Sequence, residues 1–242
     1  MKRVLITGAT SGIGLQLAKD YAADGWNVTA CGRNVIALLS WSKERDNVTV
    51  LSFDATDAEA TKQALTQNET SYDLIILNAG TCEYIDHGEI DVSLFRRVFD
   101  INLFGVLNCI EALQSKFQKG THLALMGSTA AYLGLPRAEA YGASKAAISY
   151  LARSLSVDLE NKGVTVSLIS PGFVKTPLTD KNDFAMPMLV TPEEASESIR
   201  HGLAKKKVEV HFPKKFSYFL KFLSTLPMAM QLALVRKITR KA

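Results

Sequence analysis

The sequence predicts an α/β fold, a parallel sheet with helices on both faces. Short β-branched or leucine-rich runs alternate with helical stretches along the chain, as strands buried on both sides and joined by helical crossovers require. A glycine-rich turn (Gly8, Gly12 and Gly14) joins the first run to the first helical stretch. The chain has 242 residues and 47% apolar content, which suits one large domain with a sizeable core.

Seven strands are expected, at 4–7, 27–31, 48–53, 73–78, 121–127, 165–170 and 208–212. Several are apolar nearly throughout, the mark of a strand covered on both faces. Between them, helical patterning covers 12–24, 35–45, 58–68, a long 93–116, 141–161 and 192–205. The last has the best-marked start, with Thr191 as cap, Pro192 in the first turn and Glu193 and Glu194 behind it. No repeat, low-complexity segment or linker interrupts 1–212. Residues 213–242 read as an extension of different character.

The net charge of +4 is unevenly spread. Residues 213–242 hold seven basic side chains and no acidic one, which leaves 21 basic against 24 acidic residues elsewhere. A mildly acidic body with a basic tail is not a nucleic-acid binder. The start, Met1-Lys2-Arg3 before a short apolar run, lacks the pattern of a signal peptide, so cytoplasmic residence is expected. Cys31, Cys82 and Cys109 are odd in number and widely spaced. They are expected to be reduced structural thiols, with neither a disulfide nor a metal site.

Missing side chains at Gly8, Gly12 and Gly14 let the backbone turn tightly and approach a pyrophosphate, whose charge meets amides at a helix amino terminus. A dinucleotide cofactor is therefore expected, and the end of the second strand indicates which. It reads Ala30-Cys31-Gly32-Arg33-Asn34, with Gly32 where an acid for the ribose hydroxyls would stand. Arg33 offers a planar donor fork suited to a 2′-phosphate, so NADP(H) is expected over NAD(H). Asp54, after the third strand, has two readings: acceptor for the adenine amino group, or turn residue.

Tyr141 and Lys145 stand at i and i+4 of a predicted helix, on one face and about 5–6 Å apart. A lysine cation at that range, at an effective dielectric near 20, favours phenolate by about 3 kcal/mol, or about 2 pKa units. That would bring the phenol within reach of proton exchange at neutral pH. Ser128, at the end of the fifth strand, can hydrogen-bond a substrate oxygen and stabilise charge developing on it. Each has an ordinary structural role when taken singly: core aromatic, solvated lysine, strand-end cap. With the glycine turn upstream they point to a nicotinamide-dependent oxidoreductase.

Six motifs carry a resemblance. They are Thr7-Gly8-x-x-x-Gly12-x-Gly14, Asn78-Ala79-Gly80, Asn102 within Asp100-Ile101-Asn102, Ser128, Tyr141-x-x-x-Lys145 and Pro171-Gly172-x-Val174-x-Thr176. In this order and spacing the chain resembles the short-chain dehydrogenase/reductase family from about residue 2 to 213. The resemblance implies a doubly wound Rossmann fold, a seven-stranded parallel sheet in the order 3-2-1-4-5-6-7. It implies a catalytic tetrad of Asn102, Ser128, Tyr141 and Lys145, with Tyr141 exchanging a proton with the substrate oxygen. Asn102 would position a water that links Lys145 to solvent. Cofactor contacts are implied at Gly8, Thr10, Ser11, Gly12, Ile13 and Gly14, at Arg33 and Asn34, and at Asp54. Others are Asn78, Ala79 and Gly80, then Tyr141 and Lys145, and finally Pro171, Gly172, Val174 and Thr176. Leu77 replaces the first asparagine of the family's usual Asn-Asn-Ala-Gly. Ser11 stands where many NADP-dependent relatives carry a cation, which leaves the phosphate charge to Arg33.

The substrate is expected between Tyr132, Leu133 and Leu135 and a lid over 176–191 that carries Phe184, Met186, Met188 and Leu189. Such a wall suits an apolar carbonyl or alcohol. A homo-oligomer, dimer or tetramer, is also expected. In the tail, Phe216, Phe219, Leu220, Leu223 and Leu226 recur at helical spacing, and a second stretch follows at 228–238. Fourteen of the twenty residues 216–235 are apolar, too many to hang free in water. Three sites for it stay open: its own domain, a partner subunit, or an anionic membrane surface. Two rival functions keep the same fold: a non-catalytic dinucleotide sensor and a membrane-surface scaffold.

Overall fold

The structure, a computed structural model, describes residues 1–67 and 70–239. The expected end of the third helix at Asn68, and Arg240, Lys241 and Ala242 of the tail, lie outside the described residues. Seven parallel strands form one sheet: β1 (Arg3–Thr7), β2 (Asn27–Gly32), β3 (Val48–Ser52), β4 (Leu74–Leu77), β5 (His122–Met126), β6 (Thr165–Pro171) and β7 (Glu209–Phe212). Their order is β3-β2-β1-β4-β5-β6-β7, as the resemblance implies.

The alternation of side chains along each strand feeds two cores. Val4, Ile6, Leu74, Ile76, Ala124 and Met126 point to one face, which is covered by helices α1 (Gly12–Ala23) and α7 (Pro192–Ala204). Leu5, Ile75, Leu77, Leu123 and Leu125 point to the other, against α3 (Ala58–Thr66), α5 (Gly105–Leu113) and α6 (Glu139–Asp158). Fully buried leucines and isoleucines such as these contribute about 1.5–3 kcal/mol each before ordering costs. Helix α2 (Ile36–Ser42) is shorter than the sequence suggests, and α4 (Val92–Phe99) precedes α5. The capping box at Thr191 is formed: its hydroxyl accepts from the Glu194 amide at 3.2 Å, and its own amide donates to the Glu194 carboxylate at 2.8 Å.

Two features depart from the expected elements. The predicted single helix 93–116 is broken by a π-turn, Asp100–Phe104, whose inserted residue turns Asn102 fully inward. The tail forms α8 (Lys214–Ser224) and α9 (Met228–Thr239). Phe216, Leu220 and Leu223 pack with Leu133 and beside Tyr132, Leu135, Leu226 and Leu234, so one face of the tail covers the wall that follows Ser128. Lys221 ties the helix to β7 by a 2.5 Å ion pair with Glu209. Among the described residues no helix is long and apolar enough to cross a membrane.

Candidate active site

The order of strands reverses direction between β1 and β4, and in such sheets the crevice at their carboxyl ends takes the ligand. A groove of about 370 Å³ opens there. Of the expected cofactor residues, Gly8, Thr10, Ser11, Gly12, Ile13, Arg33, Asn34, Asp54, Asn78, Ala79, Gly80 and Thr176 line it, with Thr56, Ile101 and Leu178 beside them. Four others stand behind its wall. Pro171 pairs with Phe212, Gly172 lies against the Phe216 ring, Val174 is buried in a bridge to Val190, and Gly14 packs inside the turn.

The turn is held closely. Gly8 adopts φ +64°, and a Cβ there would stand 2.8 Å from the Ala79 Cα, so only glycine lets the strand ends approach. A Cβ on Gly14 would meet the Gly8 carbonyl at 2.2 Å and the Asn78 amide nitrogen at 2.5 Å. Asn78 locks the neighbouring strands: its side-chain amide donates to the carbonyls of Thr7 (3.0 Å) and Gly8 (3.2 Å). The Thr7 hydroxyl accepts from the amides of Asn78 and Ala79. This concave turn at the start of α1, with glycine at 8, 12 and 14, fits a pyrophosphate.

At the far end of the groove, Arg33 is exposed and its guanidinium lies 3.6 Å from the Asp54 carboxylate. Burial pushes the Asp54 carboxyl up, but hydrogen bonds from the Thr56 amide and hydroxyl, with the Arg33 cation, outweigh it and hold the group below the usual range. Asp54 thus accepts from Thr56 within its own turn while also lining the groove. Gly32 has a neighbour that explains it. The Thr10 methyl stands 2.4 Å from where a Cβ would be, so a side chain at this position requires Thr10 to turn aside.

Helix α6 brings Tyr141 and Lys145 to the inner end of the groove. Lys145 is buried, its ammonium donating to the Met126 carbonyl at 2.9 Å and lying 5.8 Å from the centre of the Tyr141 ring. Ser128, just past β5, is buried. Its hydroxyl accepts from the Ala130 amide, and a hydrogen bond with Tyr141 draws the phenol somewhat down. Asn102 closes the group from behind. Its carbonyl oxygen accepts from the Thr81 amide at 2.8 Å, and its nitrogen donates to the Thr81 carbonyl and the Ser144 hydroxyl, both at 2.9 Å. Ser144 in turn donates to the Tyr141 backbone carbonyl at 2.7 Å. The polar atoms of the Asn102 side chain are thus committed to protein partners. A Cβ on Gly80 would lie 3.1 Å from the Asn102 oxygen and 3.4 Å from the Lys145 nitrogen, so the groove runs directly into this cluster.

The electrostatic balance corrects the pairwise estimate made from spacing. Burial pushes the Tyr141 phenol up, not down, and Cys82 adds to the rise. Burial also pushes the Lys145 ammonium down, to about 8, against a smaller upward pull from Cys82. Desolvation by burial is the largest cause for both groups.

The structure adds residues that spacing did not single out. Cys31 and Cys109 are buried structural thiols, whereas Cys82 faces Tyr84, Tyr141 and Lys145. Tyr84 contacts the Phe184 ring edge-on at 5.3 Å, and Phe173 links Phe184 (6.1 Å) to Phe216 on α8 (5.8 Å). An aromatic row therefore runs from the loop after β4, through the 176–191 segment, to the tail. The available signal was position: Cys82 and Tyr84 follow Asn78-Ala79-Gly80 just beyond the carboxyl end of a central strand.

Comparison with known proteins bears on the family and the fold. The family described as short chain dehydrogenase matches residues 2–186. An uncharacterized oxidoreductase of Myxococcus xanthus is 34% identical over 98% of this chain and 97% of its own length. The serine 3-dehydrogenase of Rhizobium radiobacter is 31% identical over 83% of this chain and 80% of its own. A short-chain dehydrogenase structure from Streptomyces avermitilis superposes with a TM-score of 0.82, covering 100% of this chain and 98% of that one, at 21% identity. The fold, the glycine turn and the extent of these matches assign the chain to the short-chain dehydrogenase family of oxidoreductases.

Proposed function

We propose that this protein is an NADP(H)-dependent oxidoreductase that interconverts an apolar carbonyl and its alcohol. The observation that carries the reading is the cluster of Ser128, Tyr141 and Lys145 beside Gly80, which lines the same groove as Arg33. The glycine turn from Gly8 to Gly14 and the Asn78–Gly80 strand end would hold the pyrophosphate and ribose, and Arg33 the 2′-phosphate. An exposed pair at 3.6 Å is worth little, so Asp54 competes only weakly for that cation. When bound, the nicotinamide gives or takes the hydride. The protein's own part is the proton. The Tyr141 phenol delivers it to the oxygen of a carbonyl held by the Ser128 hydroxyl, or withdraws it from an alcohol. Lys145 steadies the phenol and would hold the nicotinamide ribose. Since the Asn102 side chain is engaged, a water link from Lys145 to solvent would use backbone carbonyls of the π-turn.

Residues 1–212 form the cofactor-binding and catalytic domain in this reading, with 213–242 as an extension of its substrate wall. The aromatic row Tyr84–Phe184–Phe173–Phe216 supports an apolar substrate. Exposed Phe104, Tyr150 and Val157 support a second copy of the chain as partner on the α5–α6 side.

Replacing Arg33 by Asp is expected to shift relative efficiency from NADPH toward NADH by about tenfold or more, because one phosphate partner is lost and a ribose acceptor gained. Steady-state kinetics with both cofactors tests this, and an unmoved ratio would remove Arg33 from the phosphate site. The pH dependence has a definite sign. A phenol pushed up stays protonated through the neutral range, so carbonyl reduction should be flat below about pH 8 and fall above it as Lys145 loses its proton. Alcohol oxidation needs the phenol deprotonated and should rise with pH. Initial rates in both directions decide it, and parallel profiles would contradict the assignment.

A further inference from the structure

The tail has a second face that the domain does not use. Helix α8 spends Phe216, Leu220 and Leu223 on the wall beside Leu133. Its outward side presents Tyr218, Phe219 and Phe222, the last 63% exposed. Helix α9 adds further exposed apolar side chains, Met228 (75% exposed) and Leu232 on one side and Met230 and Ile238 on others. Around it stand exposed cations: Lys214 and Lys215 where α8 begins, Arg236 and Lys237 in the last turns of α9. No acidic side chain occurs in 213–242. Glu209, the acid within reach, is already engaged by Tyr132, Ser170 and Lys221. Burial and then the Lys207 and Lys221 cations push the Lys214 ammonium down, against a smaller upward pull from Glu209.

A partner for this face must be apolar and anionic. A second copy meets the first condition and fails the second, since an isologous contact would set these cations against themselves. Neither helix is long enough to span a bilayer, with 11 and 12 residues. Both suit the interface plane, with aromatic and methionine side chains at the acyl boundary and Lys and Arg among the headgroups. We propose that the outward face of α8 and α9 docks on an anionic phospholipid surface. Because the opposite face of α8 packs on Tyr132, Leu133 and Leu135, docking sets the substrate wall against the lipid. The substrate class is then a membrane-partitioned, long-chain carbonyl or alcohol. This last step rests on the proposed oxidoreductase activity, while the docking itself does not.

The test uses the full-length protein, co-sedimented with vesicles of phosphatidylcholine alone and of phosphatidylcholine with phosphatidylglycerol. Binding to the anionic vesicles is expected to exceed the neutral case by about tenfold or more and to weaken with salt. A Phe219→Glu/Phe222→Glu variant and a Lys214→Glu/Lys215→Glu variant should both lose it, with solution mass, melting temperature and NADPH affinity unchanged. Absence of anionic-vesicle binding in the native protein overturns the proposal. So does a fall in mass in the Phe variant with vesicle binding intact, which would make the face a contact between copies. Assay of both variants on a short water-soluble aldehyde and on a long-chain aldehyde in vesicles separates the two layers. Loss confined to the vesicle substrate supports lipid delivery, and equal rates on it overturn that step. Inactivity of the native protein on both aldehydes, with vesicle binding intact, counts against the oxidoreductase reading and leaves the docking standing.

Discussion

Tyr141→Phe is expected to lower turnover by at least roughly 100-fold while NADPH affinity stays near the native value, because a positioned general acid contributes about 10²–10⁴. The prediction is sharp because the phenol oxygen is not a structural strut. Ser144 holds α6 through the Tyr141 backbone carbonyl, and Asn102 holds Ser144; neither contact involves the ring oxygen. Lys145 keeps its bond to the Met126 carbonyl in either case. The variant gives up the phenol's hydrogen bond with Ser128 and the proton path to the substrate oxygen, and should still fold and bind cofactor. Single-turnover kinetics beside a cofactor titration measures both. Retained turnover would mean that another group moves the proton.

Gly14→Ala is expected to be the most damaging single methyl in the chain. Its Cβ would lie 2.2 Å from the Gly8 carbonyl oxygen and 2.5 Å from the Asn78 amide nitrogen. Neither neighbour can rotate away: one is backbone, and the other is bonded to the Thr7 and Gly8 carbonyls. The start of α1 must move off β1, at a cost of about 1–3 kcal/mol in stability. Cofactor affinity should fall by roughly tenfold or more, since each tenfold corresponds to only about 1.4 kcal/mol. At Gly12 the Thr176 side-chain methyl at 2.9 Å can turn aside, which leaves the left-handed backbone, φ +52°, as the main cost of Gly12→Ala, about 1–2 kcal/mol. Thermal melts and NADPH titration of the two variants give the comparison, and a native-like Gly14→Ala protein would contradict the packing role.

Much of this could be read from residue order. Strands apolar on both faces announced the sheet, because parallel strands under two helical layers have no polar side to show. The family resemblance implied the strand order, and the predicted residues from Gly8 to Gly80 do line one groove, Gly14 excepted. What stayed hidden depends on the third dimension. The π-turn at Asp100–Phe104 has no proline or internal glycine to mark it, since the extra residue is accommodated by the inward bonds of Asn102. Cys82, Tyr84 and Phe173 reach the site through loop and lid geometry that carries no periodicity. The direction of the Tyr141 shift was missed because Coulomb's law between two spaced residues omits the water that folding removes from both. The tail's amphipathic pattern was legible, but which face the domain would take was not, since Leu133 and Leu220 are far apart in sequence.

The most direct test of the central claim is NADPH oxidation by the native protein over a panel of apolar aldehydes and ketones, with NADH in parallel. The alcohol formed is quantified in each reaction. The account predicts one alcohol per NADPH consumed for at least one class of apolar carbonyl, at higher efficiency than with NADH. NADPH bound tightly yet oxidised by no carbonyl, with no NADP reduced by the matching alcohols, would contradict it and mark the groove as a binding site without turnover.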